Sequence, residues 1–326
     1  MSYTKTAILP VSPDEAFALI TEPERLRRWQ TVSAVVDLRA GGEYRWTVTP
    51  GHVAAGTFRE VEPGRRIVFG WGWEGNDDLK PDASTVTVTV EPADGGSRVT
   101  LVHDGLTDDQ AVAHAEGWNH FFERLERLAT TGDAGPDEWA FAPENLTPII
   151  AADAALAVIQ PILRGLTSED RPKATPCTEF TCHELAEHLF GSLTGLGAMA
   201  GATVVNPEEG SLENRVSVMA AQVIDAWRTV DLDGTVPGPG GSRMPASIGA
   251  VILPIELVLH GWDLAQASGQ RIHISDELVE YVRGMAETVV PDGRGRGAFA
   301  AEVTPADDAT AVDRLAAYTG RTPIAA

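Results

Sequence analysis

Hydrophobic and polar residues alternate in short runs over the first third of the chain. The run TVTVTV at residues 85–90 alternates strictly, which is typical of a β-strand with one buried face. Glycine pairs at residues 41–42 and 95–96 lie between such runs and predict tight turns. Because the links are short, the strands are expected to pair antiparallel. The strands predicted in this way span residues 35–38, 44–48, 52–62, 67–73, 85–90 and 99–103.

Two helical segments interrupt this pattern. Ser12, Pro13 and Glu15 supply an N-cap, a proline at the first helical position and a capping-box glutamate, so a helix is predicted over residues 14–21. Residues 107–130 carry an apolar stripe at helical spacing and predict one long helix. The first domain is therefore expected to be an α+β fold, a curved antiparallel sheet with a long C-terminal helix against its concave face. Any space between the sheet and the helix that side chains do not fill would form a cavity.

The chain changes character near residue 132. Residues 132–145, GDAGPDEWAFAPEN, are rich in glycine, proline and acidic residues and are interpreted as a linker between a domain at residues 1–131 and a second at residues 146–326. The second domain has helical periodicity and a loop-rich tail, which predicts an all-α four-helix bundle. Its helices are predicted over residues 146–166, 181–199, 212–229, 246–267 (kinked at Pro254) and 276–289, with a short one over 311–318.

Charge and composition exclude several kinds of partner. With 47 acidic and 25 basic residues the formal net charge is −22, which disfavours nucleic acid and anionic membrane surfaces as partners. The N-terminus lacks the pattern of a signal peptide, and no run of apolar residues is long enough to predict a membrane span. The two cysteines cannot form a disulfide framework, so a cytoplasmic protein with reduced thiols is expected. The oligomeric state stays open, a homodimer included.

A possible metal site combines three side chains of the second domain. Glu256 and His260 lie one turn apart on the apolar side of one predicted helix, and His188 flanks the apolar stripe of another. An unpaired buried carboxylate costs several kcal/mol, and a divalent cation would give all three side chains a common partner while leaving a coordination position open. The alternative is a hydrogen-bonded pair of Glu256 with His260 or His188 and no metal.

The second domain also resembles a known superfamily. TPC at residues 175–177, Phe180 and HELAEHL at 183–189 resemble the opening motif of the DinB-like, mycothiol-dependent maleylpyruvate isomerase superfamily. ELVLHGWDLA at residues 256–265 is similar to its second motif, and residues 314–323 are similar to the closing motif of an actinobacterial metal-binding subgroup. This resemblance implies a four-helix bundle with a divalent metal, commonly zinc. The metal ligands that it implies are His188, Glu256 and His260.

The same resemblance implies an activity. Enzymes of this superfamily activate a low-molecular-weight thiol, mycothiol, on the metal, and related members transfer thiols to electrophiles. The expectation is therefore a metal-dependent enzyme of thiol-transferase or isomerase type, whose partners are a small thiol and a hydrophobic or electrophilic substrate. The alternative is a non-catalytic stress-response protein that binds a hydrophobic ligand or protein client and whose metal is structural. A fourth protein ligand would favour the structural role, and an open position facing a cleft would favour catalysis.

The first domain resembles a second superfamily. Residues 11–17, 22–29 and 56–71 are similar to START-like, helix-grip (SRPBCC) domains of the branch related to the C-terminal domain of the Hsp90 ATPase activator. This resemblance implies a cavity under the long helix that binds hydrophobic ligands. Four tryptophans, Trp46, Trp71, Trp73 and Trp118, would either line that cavity or pack as ordinary core.

Other side chains that could serve as ligands or nucleophiles have a simpler explanation. His103, His114 and His120 lack metal-ligand spacing, His183 is expected to be exposed in the first turn of its helix, and Cys177 has no adjacent base. Asp263 would either orient His260 or serve a surface or capping role. The arginines that would hold an anionic thiol or substrate, or else lie on the surface, are Arg294, Arg296 and Arg321.

Overall fold

The computed structural model describes residues 1–238 and 241–324 and divides the chain into two compact units, Met1–Pro136 and Asp137–Ala326. The division lies inside the segment interpreted as a linker. Part of that segment is packed, since Ala134 is buried in the core of the first unit and Glu138–Phe141 forms a helical turn (α4) capped by the Asp137 side chain. The prediction of a loop-rich tail extends to residues 325 and 326, which lie outside the described residues.

The first unit, which is described throughout, contains a seven-stranded antiparallel sheet. The strands lie in the order β1-β7-β6-β5-β4-β3-β2, and β1, which the alternation pattern did not predict, pairs with β7 from Ser2 opposite Asp104 to Leu9 opposite Ser97. The strands are β1 (Ser2–Leu9), β2 (Ser33–Val36), β3 (Glu43–Thr49), β4 (His52–Glu62), β5 (Arg66–Trp71), β6 (Ser84–Ala93) and β7 (Gly96–Asp104).

Three helices complete the first unit: α1 (Pro13–Thr21), α2 (Pro23–Leu26) and α3 (Asp108–Thr131). The long helix α3 begins at a capping box formed by Thr107 and Gln110 and ends at Gly132, whose φ of 82° favours glycine. Its apolar face joins the sheet residues in one buried core. The sheet followed by the long helix confirms the predicted helix-grip architecture of the first unit.

The second unit is mainly helical. The helices α5 and α6 each contact α7 and α9, and α5 also contacts α10. A short hairpin, β8 with β9, lies between α7 and α8. The elements are α5 (Pro148–Gly165), α6 (Cys182–Met199), α7 (Leu212–Arg228), β8 (Thr235–Pro237), β9 (Arg243–Pro245), α8 (Ala246–Ala250), α9 (Ile252–Ser268), α10 (Asp276–Gly295) and α11 (Ala311–Tyr318). That this unit is a DinB-like four-helix bundle stays a prediction.

Prolines explain two differences between the predicted and observed helices. Residues 246–267 form two helices rather than one kinked helix, because the Pro254 ring would clash with the Ala250 carbonyl and Pro254 has no N–H for the ladder. Pro254 therefore lies in the first turn of α9, where a missing N–H is tolerated. Pro291, by contrast, lies inside α10, which continues to Gly295 instead of ending near residue 289.

Two segments have the length and hydropathy of a membrane span, Pro148–Gly165 and Ala246–Ser268. The buried share is 61% for the first segment and 83% for the second. Core helices of a water-soluble domain are buried in the same way. They carry the helix contacts that position the site described next.

A candidate metal centre in the second unit

The side chain of His188 is presented by α6. This helix starts at a capping box in which the Thr181 side chain accepts from the Glu184 backbone N–H and the Glu184 side chain accepts from the Thr181 backbone N–H. Leucines at positions 185, 189, 193 and 196 are buried and fix which side of the helix faces the unit's interior. His188 lies at the edge of that stripe, and its side chain is 34% exposed.

The other two side chains come from α9, nearly all of whose residues are buried. Glu256 and His260 are one turn apart, and their side chains are 21% and 5% exposed. Glu256 Oε2 lies 3.4 Å from His188 Nε2 and 3.5 Å from His260 Nε2. The structure therefore brings together all three residues predicted as metal ligands.

The arrangement fits a tetrahedral metal site. With metal–ligand bonds of about 2.1 Å, neighbouring ligand atoms in a tetrahedron lie about 3.4 Å apart, which matches both observed separations. Glu256 Oε2 is buried and has no hydrogen-bond partner among the described residues. The two imidazole contacts are thus too long or poorly directed to satisfy this oxygen, and a cation between the three atoms would do so.

The charged groups of the cluster shift one another's pKa values. Burial disfavours a charged Glu256, but its contacts with His188 and His260 outweigh this and hold its pKa well below the ordinary value. Burial also disfavours a charged His260, but Asp263 and Glu256 outweigh it and raise the pKa of His260 to about 9. With that pKa, His260 carries a proton at neutral pH when no metal is bound, and a divalent cation at Nε2 would have to displace it.

A second layer of contacts fixes the ring of His260. Its Nδ1 lies 3.0 Å from Asp263 Oδ2, so this nitrogen donates to the carboxylate and Nε2 is left facing Glu256. Asp263 is fully buried and accepts from Arg321 Nε at 3.0 Å through both oxygens. Of the two roles considered for Asp263, the structure shows the orienting one. Arg321 is 8% exposed, so it is neither a surface charge nor available to a substrate.

The side of the centre formed by His188 is the more open one. The His188 ring stacks on Phe180, with centroids 4.9 Å apart and planes at 27°. Ser192, one turn further along α6, has its hydroxyl 3.3 Å from His188 Nε2. In the described part of the chain, two groups of three histidine, cysteine or acidic ligand atoms lie within 4.8 Å of one another: His188, Glu256 and His260, and Cys177, His260 and Asp263.

The remaining residues considered in the sequence lie outside this centre. Cys177 is within 4.8 Å of the His260–Asp263 pair, but burial raises the pKa of its thiol to about 11, so it is protonated at neutral pH. His183 is exposed and contacts Arg171. Arg296 is exposed, and Arg294 donates to the backbone oxygens of Ala300 and Tyr318.

A buried polar network in the first unit was missed in the sequence. His103 is fully buried, accepts from Trp118 Nε1 at 3.1 Å and lies 2.9 Å from the Ser84 hydroxyl. His114, whose ring centroid is 4.9 Å from that of His103, accepts from Trp71 Nε1 at 3.2 Å. Burial lowers the pKa of His103 to about 3, and it also lowers the pKa of His114. Both rings are therefore neutral hydrogen-bonding members of the core rather than metal ligands.

The four tryptophans singled out in the sequence meet around Trp71. Its ring centroid lies 6.2 Å from that of Trp46, 5.3 Å from Trp73 and 5.2 Å from Trp118. Trp46 is 2% exposed, and its indole N–H has no hydrogen-bond partner among the described residues. This donor is the feature of the aromatic cluster that ordinary packing leaves unexplained.

The two units together define a class of protein: a helix-grip α+β domain followed by a helical unit in which two histidines and a glutamate converge. Residues 10–130 match the family described as Activator of Hsp90 ATPase homolog 1-like protein. The solution structure of an AHSA1-like protein from Rhizobium etli is 34% identical and covers 45% of this chain and 91% of that one, with a TM-score of 0.37. The chain belongs to this family through its first unit.

Further relatives extend the comparison. A crystal structure of a protein from Mesorhizobium loti is 22% identical over 41% of this chain and 99% of that one, with a TM-score of 0.37. An uncharacterized protein of Mycobacterium tuberculosis is 27% identical over 183 residues, which is 54% of this chain and 99% of the relative. The alignment of 183 residues is longer than the first unit, Met1–Pro136, so it includes at least part of the second unit.

Proposed function

We propose that this chain is a metal-dependent enzyme of thiol-transferase or thiol-dependent isomerase type, acting in the cytoplasm. Its second unit would be a DinB-like domain of the mycothiol-dependent maleylpyruvate isomerase type, as the motifs at residues 175–189 and 256–265 suggest. The observation that carries the proposal is the buried Glu256 Oε2, which has no hydrogen-bond partner in the described chain and lies between the Nε2 atoms of two histidines from different helices.

Each of the three side chains has a defined part in this proposal. His188, Glu256 and His260 would hold a divalent cation, most simply Zn²⁺, because two imidazoles and one carboxylate form a ligand set that zinc commonly takes. When bound, such a cation lowers the pKa of a thiol or water at its remaining position and so supplies a nucleophile at neutral pH. The half-exposed side of His188, beside Ser192, is the direction from which a thiol would enter.

The first unit would contribute substrate capture. The Trp46 N–H, buried beside Trp71 and without a hydrogen-bond partner among the described residues, would donate one hydrogen bond to a carbonyl or similar acceptor on a hydrophobic substrate. In the transferase reaction the thiol sulfur would bond to an electrophilic carbon of that substrate as a leaving group such as halide departs, with the thiol proton released to solvent. In the isomerase reaction the thiolate would add to a double bond and be expelled again after rotation about that bond, so the thiol is regenerated.

Elemental analysis of protein purified without an affinity tag tests the metal. The assay then mixes the protein with mycothiol and a haloarene electrophile and follows loss of the thiol. We expect about one zinc per chain and metal-dependent thiol loss in the wild type, with both strongly reduced in His188→Ala. His183→Ala, on the exposed side of the same helix, is the matched control and should behave as wild type. Absence of bound metal, or the same rate in His188→Ala, would contradict the proposal.

A second candidate function is non-catalytic binding of a hydrophobic ligand or protein client, with a structural metal. The Trp46 N–H in the first unit is the observation that favours it. Under this alternative, Trp46→Phe should weaken binding of an apolar naphthalene-sulfonate dye severalfold, while the metal-loaded protein shows no thiol loss over a panel of electrophiles. Thiol loss that depends on the metal would reject the alternative.

A further inference from the structure

The C-terminal segment of the chain reaches the candidate metal centre through one buried side chain. Arg321 lies beyond the end of α11, and its Nε donates to Asp263 Oδ1 and Oδ2, each at 3.0 Å. Asp263 Oδ2 is the atom that accepts from His260 Nδ1, also at 3.0 Å. An unbroken line of polar contacts therefore joins residue 321 to a proposed metal ligand.

The geometry of this contact restrains the carboxylate. The one N–H at Nε is shared between both carboxylate oxygens, and because the guanidinium is planar and rigid it restrains the carboxylate more than a flexible ammonium would. The guanidinium itself is held from the other side, because Nη1 donates to the Thr319 hydroxyl at 3.0 Å. Asp263 is fully buried, so water does not replace the arginine.

The segment that carries Arg321 is anchored independently of this contact. Trp262, the neighbour of Asp263 in α9, donates from Nε1 to Asp313 Oδ1 in α11 at 2.8 Å. Arg294 donates to the Tyr318 carbonyl oxygen, and its guanidinium carbon lies 4.8 Å from the centroid of the Tyr318 ring. These contacts hold the backbone around Thr319 separately from the Arg321–Asp263 pair.

We propose that Arg321 is a positioning residue of the metal centre, which holds Asp263 so that Asp263 holds the His260 ring with Nε2 directed at Glu256. The segment from Ala311 to Arg321 is then part of the centre although it supplies no ligand. This inference rests on the proposed function, because it takes His188, Glu256 and His260 as the ligands. It adds that the order of the centre depends on the contact of Arg321 with Asp263.

Cobalt binding provides the test, because Co²⁺ substitutes for zinc and its visible absorption reports ligand geometry. In competition with a chelator of known affinity, Arg321→Gln should bind Co²⁺ about tenfold more weakly than wild type, in line with the loss of outer contacts at metal sites. Its absorption bands should also shift or lose intensity. Arg321→Lys should recover part of the affinity, since it keeps the charge but not the two-oxygen contact.

The matched control is Arg294→Gln. This variant loosens the same segment at Tyr318 but does not touch Asp263, so it should keep the wild-type affinity and Co²⁺ spectrum. If Arg294→Gln weakens binding as much as Arg321→Gln, the segment is only structural and the inference is wrong. Should Arg321→Gln fail to fold, Asp263→Asn removes the same charged contact from its other side and must show the same loss, or the inference falls.

The two proposals fail separately. A wild-type protein that binds neither Zn²⁺ nor Co²⁺ overturns the proposed function and the role of Arg321 with it. A wild-type protein that binds Co²⁺, together with an Arg321→Gln variant of equal affinity and identical spectrum, overturns the role of Arg321 alone.

Discussion

Glu256 Oε2 lies 3.4 Å from Nε2 of His188, although the two residues belong to different helices and different segments of the sequence. The contact exists because α6 and α9 pack against each other. It places a carboxylate between two imidazoles without forming a satisfactory hydrogen bond to either. Glu256 Oε2 is charged and buried and has no hydrogen-bond partner among the described residues. The contact is therefore the main indication of a cation site in the second unit.

The first prediction concerns Glu256 itself. Glu256→Gln keeps the size of the side chain but removes the charge that a divalent cation requires, so we expect bound zinc to fall from about one per chain to a small fraction of that. Elemental analysis after dialysis against trace zinc measures the change. Glu187→Gln, an exposed glutamate on α6, is the control and should retain its zinc. Equal metal content in wild type and Glu256→Gln would remove Glu256 from the ligand set.

The second prediction concerns stability without metal. A cation that binds only the folded chain stabilises it by RT ln(1 + [L]/Kd), about 2.7 kcal/mol at one hundred times Kd. We therefore expect a chelator to lower the free energy of unfolding of the second unit by an amount of this order and to leave the first unit unchanged. Hydrogen exchange in urea, read from peptides of α6 and α9 and of β6 and β7, distinguishes the units. His188→Ala should make the second unit insensitive to the chelator, and persistent sensitivity would contradict the site.

The third prediction uses the buried His103 of the first unit. Its pKa is about 3 in the folded chain, mainly through burial and further through His114, against 6.5 for an unperturbed histidine. Between these values the unfolded chain binds a proton that the folded chain does not, so stability is retained above pH 6.5 and lost as the pH falls toward 3. The slope contributed by this one group is at most about 1.4 kcal/mol per pH unit. Urea unfolding of the wild type at pH 7.5 and pH 5, followed by exchange in β7 and α3, measures it.

The comparison that isolates His103 is the variant His103→Gln. At pH 7.5 it should be less stable than wild type by about 1 to 3 kcal/mol, because glutamine lacks the ring that packs against Trp71 and Trp118 and that holds the acceptor of the Trp118 N–H in place. Since glutamine does not titrate, that difference should shrink as the pH is lowered to 5. A difference between wild type and variant that stays constant with pH would show that His103 is not the group responsible.

Much of the fold follows from local sequence signals, and the exceptions have physical causes. The N-cap at Ser12 and the apolar stripe over residues 107–130 predict helices that the structure shows as Pro13–Thr21 and Asp108–Thr131. The strand Ser2–Leu9 was not predicted because it lies at the edge of the sheet, where only Ala7 and Leu9 are buried and the apolar alternation is weak. Such a strand is specified by its pairing with β7 rather than by its own pattern.

The candidate site was predictable only where its residues share a helix or a motif. Glu256 and His260 are one turn apart, so their common face could be predicted from spacing alone. The link from Asp263 to Arg321 could not, because it depends on how the C-terminal segment folds back onto α9. The pairing of His103 with His114 likewise arises where a strand end meets the start of α3, and no sequence spacing signals such a contact.

The last prediction tests the helix packing that holds the site in place. Gly249 in α8 lies so close to Trp227 that an added Cβ would be 2.5 Å from Cη2 of the indole, which is held in place by a hydrogen bond to the Leu196 carbonyl of α6. Gly249→Ala should therefore destabilise the second unit by about 1 to 3 kcal/mol through overpacking, even though alanine has the higher helix propensity. Gly191→Ala, in α6 with open space around the new Cβ, is the matched control and should stabilise by roughly 0.5 to 1 kcal/mol. Urea unfolding followed by exchange in α6 and α9 measures both. If the two variants shift stability in the same direction, the close approach of α8 to Trp227 is wrong, and the packing that supports α6 at the metal centre would need revision.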